Sequence, residues 1–242
     1  MKREYVGKRV PRIEGVEKVT GRAAYSVDVE LPGMLYGAVL RSPLAHARIV
    51  DIDLTEARKA RGVKAIVTGK DFPFTFGGML RDQPFLAIDR VRHVGEPVAA
   101  VAATTEAEAA EAVEKIKVQY EELPAVFDPR EALAEGAPIL HEKLGEYVVI
   151  GPYKNIPGTN VCVIRTFSKG DMEAGFAQSD EIFEDELYIH TVAHTPMETH
   201  AAVAQYIPAE QKYQIWSSTD RPFRLAKELA DALEIGLNQV RF

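Results

Sequence analysis

The sequence predicts an α+β fold with a sizeable buried core. Between residues 34 and 126, short apolar or alternating runs that are typical of strands are interrupted by segments with helical spacing. The composition also favours a globular chain, because 46% of the 242 residues are apolar while the 17 glycines and 14 prolines are ordinary numbers. At this length we expect two domains.

In the first half of the chain, local patterns predict two helices and a series of strands. The clearer helix covers residues 105–116, where a threonine caps the start and the alanines and branched residues share one face. A shorter helix covers residues 55–61, capped by Thr55 and ended by Gly62. The strands are predicted at residues 34–40, 49–54, 63–68, 98–103 and 117–120.

Two irregular stretches separate these strands. One contains Phe72, Phe74 and Phe76, and we interpret it as a loop whose aromatic side chains cover the core. The other, residues 94–98, reads Val-Gly-Glu-Pro-Val and indicates a turn before a buried strand, since glycine and proline favour turn conformations. We expect Glu96 in this turn to be a solvated carboxylate rather than an acid or base catalyst.

The second half of the chain has shorter elements. Residues 140–160 contain several glycines and prolines and little periodicity, which indicates a linker. Cys162 is expected to lie buried and inert in an apolar strand, and Asp220 is a candidate cap for the last helix. Helices are predicted at residues 128–133, 171–177 and 222–233, and strands at 161–167, 182–189, 201–207 and 213–217, the last two as a hairpin.

Charge and cysteine content argue against several classes of partner and redox centre. With 29 basic and 36 acidic residues the net charge is −7, so nucleic acid is not an expected partner. No segment approaches the roughly 20 apolar residues that span a bilayer, and residues 1–5 lack the core of a signal peptide, so we expect a cytoplasmic protein without membrane contact. The single cysteine, Cys162, cannot hold an iron–sulfur cluster.

A group of histidines and a glutamate is the strongest candidate for a metal site. His190, His194 and Glu198 are spaced four apart, and on a helix they would share one face at a spacing that suits zinc. Pro196 disfavours that helix, although an extended chain would also place these positions on one face. The alternative is a packed or hydrogen-bonded histidine row, and we expect no dedicated metal site.

Several motifs of the first half together resemble one known protein family. Residues 7–48 read GKRVPRIEGVEKVTGRAAYSVDVELPGMLYGAVLRSPLAHAR, and later segments read VGEPV from Val94 and YEELPAV from Tyr120. These motifs resemble the start of the molybdenum-binding large subunit of the xanthine dehydrogenase and aldehyde oxidase family. The resemblance implies an α/β-hammerhead domain, which is a scaffold domain of those enzymes rather than the catalytic one.

Two segments of the second half extend the resemblance towards the cofactor. The segment from His194 to Glu198 resembles the one that opens the family's molybdenum-binding domain, where it is chiefly architecture around the cofactor. The strand ending in WSSTD resembles one that commonly ends Ser-Thr-Gln, whose glutamine amide approaches an oxo ligand of molybdenum. Asp220 takes that position here, and its carboxylate would repel the oxo group unless protonated. The resemblance thus implies Asp220, Thr219 and Glu198 as cofactor-binding candidates, beside the open alternative that Asp220 caps a helix.

The resemblance implies three successive regions. They are a hammerhead domain over residues 1–127, a linker over 128–158 and an incomplete N-terminal portion of a molybdenum-binding domain over 159–242. Up to Phe242 there is no glycine-rich molybdenum loop and no general-base glutamate of the family. We therefore expect no catalytic residue in this chain and no cofactor in the isolated chain, whereas the complete enzyme is expected to hold the molybdopterin cofactor.

The function implied by the resemblance is that of an N-terminal part of a molybdenum hydroxylase large subunit. The complete enzyme is expected to hydroxylate a heterocycle, an aldehyde or a related substrate with oxygen from water. Its expected partners are the remainder of the molybdenum subunit and iron–sulfur and flavin subunits or domains. We also expect an exposed apolar surface after Thr159 and self-association through it.

A second hypothesis comes from a different functional class. A chain with this scaffold, without the glycine-rich loop and with Asp220 in place of glutamine, is also compatible with a non-catalytic interaction or small-ligand-binding module that retains the hammerhead fold. A molybdenum-containing complex would favour the first hypothesis. A well-folded monomer without an exposed apolar patch would favour the second.

Overall fold

A computed structural model describes residues 5–242, and the chain divides into two compact units. The larger unit is Gly33–His190, and the smaller unit combines the described part of Met1–Pro32 with Thr191–Phe242. The N-terminal segment therefore contributes to the same unit as the C-terminal residues, which no local sequence pattern indicates. The domain boundaries near residues 127 and 159 stay predictions.

Two three-stranded antiparallel sheets and a short two-stranded sheet organise the larger unit. The strands are β1 Tyr36–Arg41, β2 Ala47–Asp53, β3 Val63–Thr68, β4 Thr75–Phe76, β5 Gln83–Pro84, β6 Arg90–Val91, β7 Pro97–Ala103 and β8 Lys117–Glu122. The first sheet has the order β1-β7-β3 and the second the order β6-β2-β8, while β4 pairs with β5.

Strand β7 lies at the centre of the core because both of its faces are apolar. Val98 packs in one buried cluster, which includes Ala47 and Val91, and the next residue, Ala99, packs in a second cluster on the opposite face. Side chains alternate between the two faces of a strand, so a continuous apolar run is what burial on both sides requires. The prediction of a buried strand over residues 98–103 is confirmed.

The helices of the larger unit are short, and three of the four begin at a side-chain cap. Thr105 accepts a hydrogen bond from the Glu108 amide at the start of the longest helix, and Asp128 accepts two amide hydrogen bonds at the start of another. The prediction that Thr55 caps its helix is wrong: Thr55 is the first helical residue, and the Asp53 side chain accepts from its amide. The helices are α2 Thr55–Lys59, α3 Glu106–Glu114, α4 Pro129–Leu133 and α5 Met172–Ala177, with α1 Gly15–Val19 in the smaller unit.

Residues 128–160, which we call the strap, pack firmly on the rest of the larger unit. Leu144 is only 1% exposed, and Arg90 holds Glu142 through two hydrogen bonds of 3.0 Å. The Ile150 amide donates to the Met79 carbonyl at 2.8 Å, which joins the strap to a loop far from it in sequence. The absence of periodicity in the strap therefore reflects irregular backbone that is nevertheless anchored by side chains.

The smaller unit contains one sheet and one long helix. Its strands are β9 Ala202–Ile207, β10 Lys212–Ser217 and β11 Val240–Arg241, and its helix is α6 Pro222–Ala232. Strands β9 and β10 form the predicted hairpin, while β11 pairs in parallel with β10. Within residues 5–242 no helix has both the length and the apolar character that a membrane span requires.

Two predicted strands are not found as strands. Residues 161–167 form only one isolated bridge, between Ile164 and Lys154, and residues 182–189 have no strand partner within the described part of the chain. An alternating pattern forms a strand only where a neighbouring strand accepts its hydrogen bonds. Cys162 is consequently exposed, so the prediction that it lies buried in a strand is wrong.

Candidate functional site

The hairpin end of the smaller unit brings the three cofactor-binding candidates into one corner. The Ser218 hydroxyl donates to Glu198 Oε1 at 2.9 Å, which links the segment before β9 to the end of β10. Thr219 and Asp220 follow directly in sequence, in the short connection between β10 and α6. The tertiary structure thus joins Glu198 to Ser218, the residue just before the other two candidates in the chain.

The side chain of Asp220 points into solvent rather than to the helix. It is 83% exposed and lies 3.4 Å from the Arg221 guanidinium, which is itself 66% exposed. The helix begins after Arg221 without a side-chain cap, and Thr219 Oγ1 accepts the Arg221 amide at 3.1 Å. The alternative in which Asp220 caps this helix is therefore wrong. The Thr219 side chain, not that of Asp220, accepts the amide hydrogen bond just before the helix.

This corner does not by itself fit a molybdopterin cofactor. It offers one hydroxyl donor to an oxygen-rich ligand, that of Thr219, because the Ser218 hydroxyl already donates to Glu198. It also presents the carboxylates of Glu198 and Asp220, and an ionised carboxylate repels an electron-rich oxo group or a phosphate. The corner therefore supplies polar contacts along one edge without enclosing such a molecule.

The histidines of the candidate metal cluster are exposed. His190, His194 and Glu198 lie in irregular backbone, so the helical spacing that would suit zinc does not occur. Among residues 5–242, no group of three or more His, Cys, Asp or Glu side chains is arranged to hold a metal ion. Glu198 instead accepts a hydrogen bond from the Ser218 hydroxyl.

The Val94–Val98 turn places a carboxylate inside the larger unit. Gly95 has a φ of +85°, which glycine adopts without strain, and its amide donates to the Ser42 carbonyl at 2.8 Å. The Ser42 amide in turn donates to the Glu96 carbonyl at 2.9 Å. Glu96 is only 6% exposed, and its Oε2 accepts the Arg92 amide. The prediction that Glu96 is a solvated turn carboxylate is wrong, because the turn folds back onto the core.

A cleft of about 450 Å³ opens beside this buried carboxylate. It is lined by aromatic and proline side chains together with polar and charged ones. The Phe76 and Phe85 rings stack at 4.7 Å between centroids, and Phe72 and Phe74 also contact Phe85. The residues around the cleft are Phe76, Asp82, Gln83, Pro84, Phe85, Arg92, His93, Glu96, Pro97 and His141.

The strap contributes His141 to the cleft, and its imidazole is held neutral. Burial, and secondarily the charges of Arg92 and Arg90, lower the pKa of His141 to about 4. Its Nδ1 lies 3.2 Å from the Tyr147 hydroxyl, and the two rings meet edge to face. At neutral pH the cleft therefore contains an uncharged imidazole next to the Arg92 guanidinium.

The depressed pKa of His141 makes the folded state sensitive to acid. The unfolded chain protonates this residue near pH 6.5, whereas the folded chain resists protonation down to pH about 4. The unfolded state thus binds more protons between these values, and stability falls as the pH falls through them. We expect the free energy of unfolding to drop by about 1–2 kcal/mol more in the wild type than in His141→Gln, after allowance for solvent screening.

Urea unfolding at pH 7 and pH 4.5 measures this difference. His93→Gln is the matched control, because it removes an exposed imidazole from the same cleft and leaves the buried imidazole of His141 in place. Equal pH dependence in the wild type and His141→Gln would contradict the expectation.

A second buried histidine was not singled out by any sequence motif. His46 is 3% exposed, and its Nδ1 donates to the Pro124 carbonyl at 2.6 Å, which ties the start of β2 to the chain leaving β8. Its Nε2 is buried without a hydrogen-bond partner among the described residues. The only sequence signal is a histidine between two apolar strands, and that signal does not separate a structural role from a functional one.

Residues 182–197, which we call the exposed segment, carry an unusual amount of uncovered apolar surface. Phe183 is 83% exposed, and Leu187, Tyr188 and Ile189 are each 87% exposed. Large apolar side chains in such numbers are rarely left in water by a finished folding unit and typically mark an interaction surface. The exposed apolar surface expected after Thr159 is therefore present.

Two family models match this chain and together account for most of it. Residues 20–124 match the α/β-hammerhead domain of aldehyde oxidase and xanthine dehydrogenase. Residues 154–242 match a molybdopterin cofactor-binding domain. The strap falls largely between the two matches, and the exposed segment and the Glu198 corner fall within the second.

Curated relatives extend over nearly the whole chain but are much longer. A probable xanthine dehydrogenase component of Bacillus subtilis is 39% identical over 95% of this chain and 29% of its own length. The nicotinate dehydrogenase large molybdopterin subunit of Eubacterium barkeri is 34% identical over 98% of this chain and 53% of its own length. The chain thus spans between about a third and half of these relatives.

Solved structures agree with these matches. A crystal structure of quinoline 2-oxidoreductase from Pseudomonas putida 86 is 34% identical and has a TM-score of 0.80, covering 99% of this chain and 30% of that one. A Cu,Mo carbon monoxide dehydrogenase in its carbon monoxide-reduced state is 28% identical, with a TM-score of 0.82, and covers 97% of this chain and 30% of that one.

Proposed function

Because this chain belongs to the xanthine dehydrogenase and aldehyde oxidase family, we propose that it works as the N-terminal scaffold of a molybdenum hydroxylase large subunit. The hammerhead domain and the first part of the molybdopterin-binding domain then form a base on which the remaining cofactor-binding residues assemble. The complete enzyme would hydroxylate a heterocycle, an aldehyde or a related substrate with oxygen from water. The chain supplies no catalytic residue in this proposal.

The observation that carries the proposal is the exposed segment within the molybdopterin-domain match. Its backbone is irregular, and its amide and carbonyl groups lack strand partners within residues 5–242. Unpaired backbone with exposed apolar side chains favours addition of a neighbouring strand, which would both satisfy the backbone hydrogen bonds and cover the apolar surface. We assign that role to the part of the subunit that this chain does not match in its relatives.

The remaining elements have supporting roles in the same proposal. Thr219 would donate its hydroxyl to one edge of the molybdopterin cofactor, whereas Asp220 and Glu198 would contact that edge only in protonated form. The isolated chain would bind no cofactor. Electrons would pass to iron–sulfur and flavin subunits or domains. The cytoplasmic location and the self-association of the isolated chain through its exposed segment stay predictions.

Co-expression tests the proposal directly. The chain would be produced with the complementary part of the Bacillus subtilis or Eubacterium barkeri relative, and the complex isolated through a tag on this chain. We expect a stable complex that contains molybdenum, with amide hydrogen exchange in residues 182–197 slowed at least tenfold relative to the chain alone, because added strand pairing protects amides.

A matched pair of variants separates docking from general stability. Phe183→Asp places a charge in the exposed segment and should abolish the complex, whereas Phe127→Asp should not, although both phenylalanines are 83% exposed. If neither variant affects assembly, the exposed segment is not the docking surface. If no complex forms and the chain is a stable monomer without molybdenum, the non-catalytic module is the better description.

A further inference from the structure

The cleft beside Glu96 has no role in the proposed scaffold function, yet it contains charged groups that the fold leaves open. Glu96 is more than nine-tenths buried, and only one of its oxygens, Oε2, has a donor, the Arg92 amide. No described residue donates to the other oxygen, Oε1. A buried carboxylate normally accepts several hydrogen bonds, so this oxygen is an acceptor available to a ligand in the cleft.

A second carboxyl group faces the same space. Asp82 is partly buried, and no described side chain or amide of another residue donates to it. Burial raises the pKa of Asp82, which is the effect expected of a carboxylate without adequate hydrogen-bond donors. A hydrogen-bond donor bound beside Asp82 would offset the unfavourable desolvation of its carboxylate.

Among the described residues, Arg92 is the one guanidinium that lines the cleft, and part of its hydrogen-bonding capacity is already used by backbone carbonyls. Its Nε donates to the Leu140 carbonyl at 2.9 Å, and Nη1 lies 3.5 Å from the Arg90 carbonyl. Two carboxyl groups therefore oppose one partly engaged cation, while His141 is neutral at pH 7. The charge of the lining favours a positively charged or hydrogen-bond-donating ligand and disfavours an anion.

The walls of the cleft select for a flat ligand. The Phe76 and Phe85 rings, stacked at 4.7 Å, and the rings of Pro84 and Pro97 contribute apolar surface. A cation against aromatic faces gains electrostatic attraction to the ring, and a planar ligand can lie along them. The volume of about 450 Å³ is in the range of small-molecule sites.

We propose that this cleft binds a planar organic cation or amino-substituted nitrogen heterocycle, whose amidine-like N–H edge donates to Glu96 and Asp82 while its ring packs against Phe76 and Phe85. An amidine edge presents two parallel N–H donors and matches a carboxylate. A metal ion is not the expected occupant, because residues 5–242 contain no group of three or more ligating side chains arranged for one.

Titration of the full chain with benzamidine tests the proposal, with benzoate as the probe of opposite charge and the same ring. Benzamidine is expected to bind with a Kd of about 1 mM or tighter, as measured by calorimetry and by NMR shifts in residues 76–97. Benzoate should bind at least tenfold more weakly, because it meets two carboxyl groups.

Variants of the two carboxyl groups identify the site. Asp82→Asn and Glu96→Gln should each weaken benzamidine binding by about tenfold or more, since each removes a charged acceptor. Asp51→Asn, on the exposed face of β2 and outside the cleft, should leave it unchanged. Glu96→Gln retains an acceptor for the Arg92 amide, and circular dichroism checks that it folds. If Glu96→Gln does not fold, the benzamidine affinity of Asp82→Asn alone tests the proposal.

Three results would overturn the proposal. They are absence of benzamidine binding at about 10 mM, equal binding of benzoate, and unchanged binding in Asp82→Asn. None of these results bears on the scaffold proposal, because the exposed segment and the cleft share no residue.

Discussion

Replacing Leu144 with alanine is expected to lower the free energy of unfolding of the Gly33–His190 unit by about 2–5 kcal/mol. Leu144 is 1% exposed and is one of the largest fully buried side chains in the described residues, although it lies in the irregular strap. Truncation removes apolar contacts and leaves a cavity that the surrounding irregular backbone cannot close. An effect of this size would show that the strap is part of the folded unit.

Denaturant unfolding followed by far-UV circular dichroism measures the loss. Leu133→Ala is the matched control, because Leu133 also lies in the strap but is 66% exposed and should cost less than about 1 kcal/mol. Similar small effects of both substitutions would mean that the strap folds and unfolds without the core.

The second large effect is expected from Asn160→Asp, at about 2–3 kcal/mol of lost stability. The Asn160 side chain joins three points of the strap: Nδ2 donates to the Ala132 carbonyl at 3.0 Å and to the Pro138 carbonyl at 2.9 Å, and Oδ1 accepts the Leu140 amide at 3.0 Å. Aspartate preserves the shape and the acceptor. It removes both donors and places a carboxylate oxygen against two carbonyl oxygens.

Asn155→Asp provides a graded comparison. Asn155 makes a single bond of this kind, in which Nδ2 donates to the Leu144 carbonyl at 2.9 Å, so its replacement should cost about half as much. Unfolding midpoints of the two variants and the wild type, measured at pH 7, give the comparison. If Asn155→Asp is as costly as Asn160→Asp, the number of lost hydrogen bonds does not determine the effect.

A firmly anchored strap matters for the proposed scaffold. It connects the hammerhead match, which ends at residue 124, to the molybdopterin-domain match, which begins at residue 154. Buried and hydrogen-bonded side chains such as Leu144 and Asn160 fix the path of residues 128–160 within the Gly33–His190 unit. Loss of either anchor should therefore also weaken assembly with the complementary part of the large subunit.

Local structure could largely be predicted from the residues themselves. The apolar run of β7, the Thr105 cap of α3 and the Asp128 cap of α4 depend on interactions within a few residues or on simple burial. The hairpin of β9 and β10 also depends on local interactions, because its two strands are neighbours in sequence. Periodicity and capping report such interactions well.

Predictions that depended on distant partners were less successful. The alternating pattern of residues 182–189 predicts a strand, but no described residue pairs with it. Glu96 occupies a turn, where carboxylates are usually solvated, and yet the contacts between its turn and Ser42 bury it. Cys162 was expected inside a strand that does not form. Each outcome was decided by residues remote in the chain.

The sequence by itself determined the family, the α+β class and most short elements of this protein, because motifs and local hydrogen bonds are properties of contiguous residues. Only the tertiary structure decided that the strap is anchored, that Glu198 meets Ser218, and that Glu96, Asp82 and His141 surround one cleft. Those groups come from segments up to about sixty residues apart. Their proximity, and the shifted pKa values of Asp82 and His141, arise only when the sheets pack and exclude water.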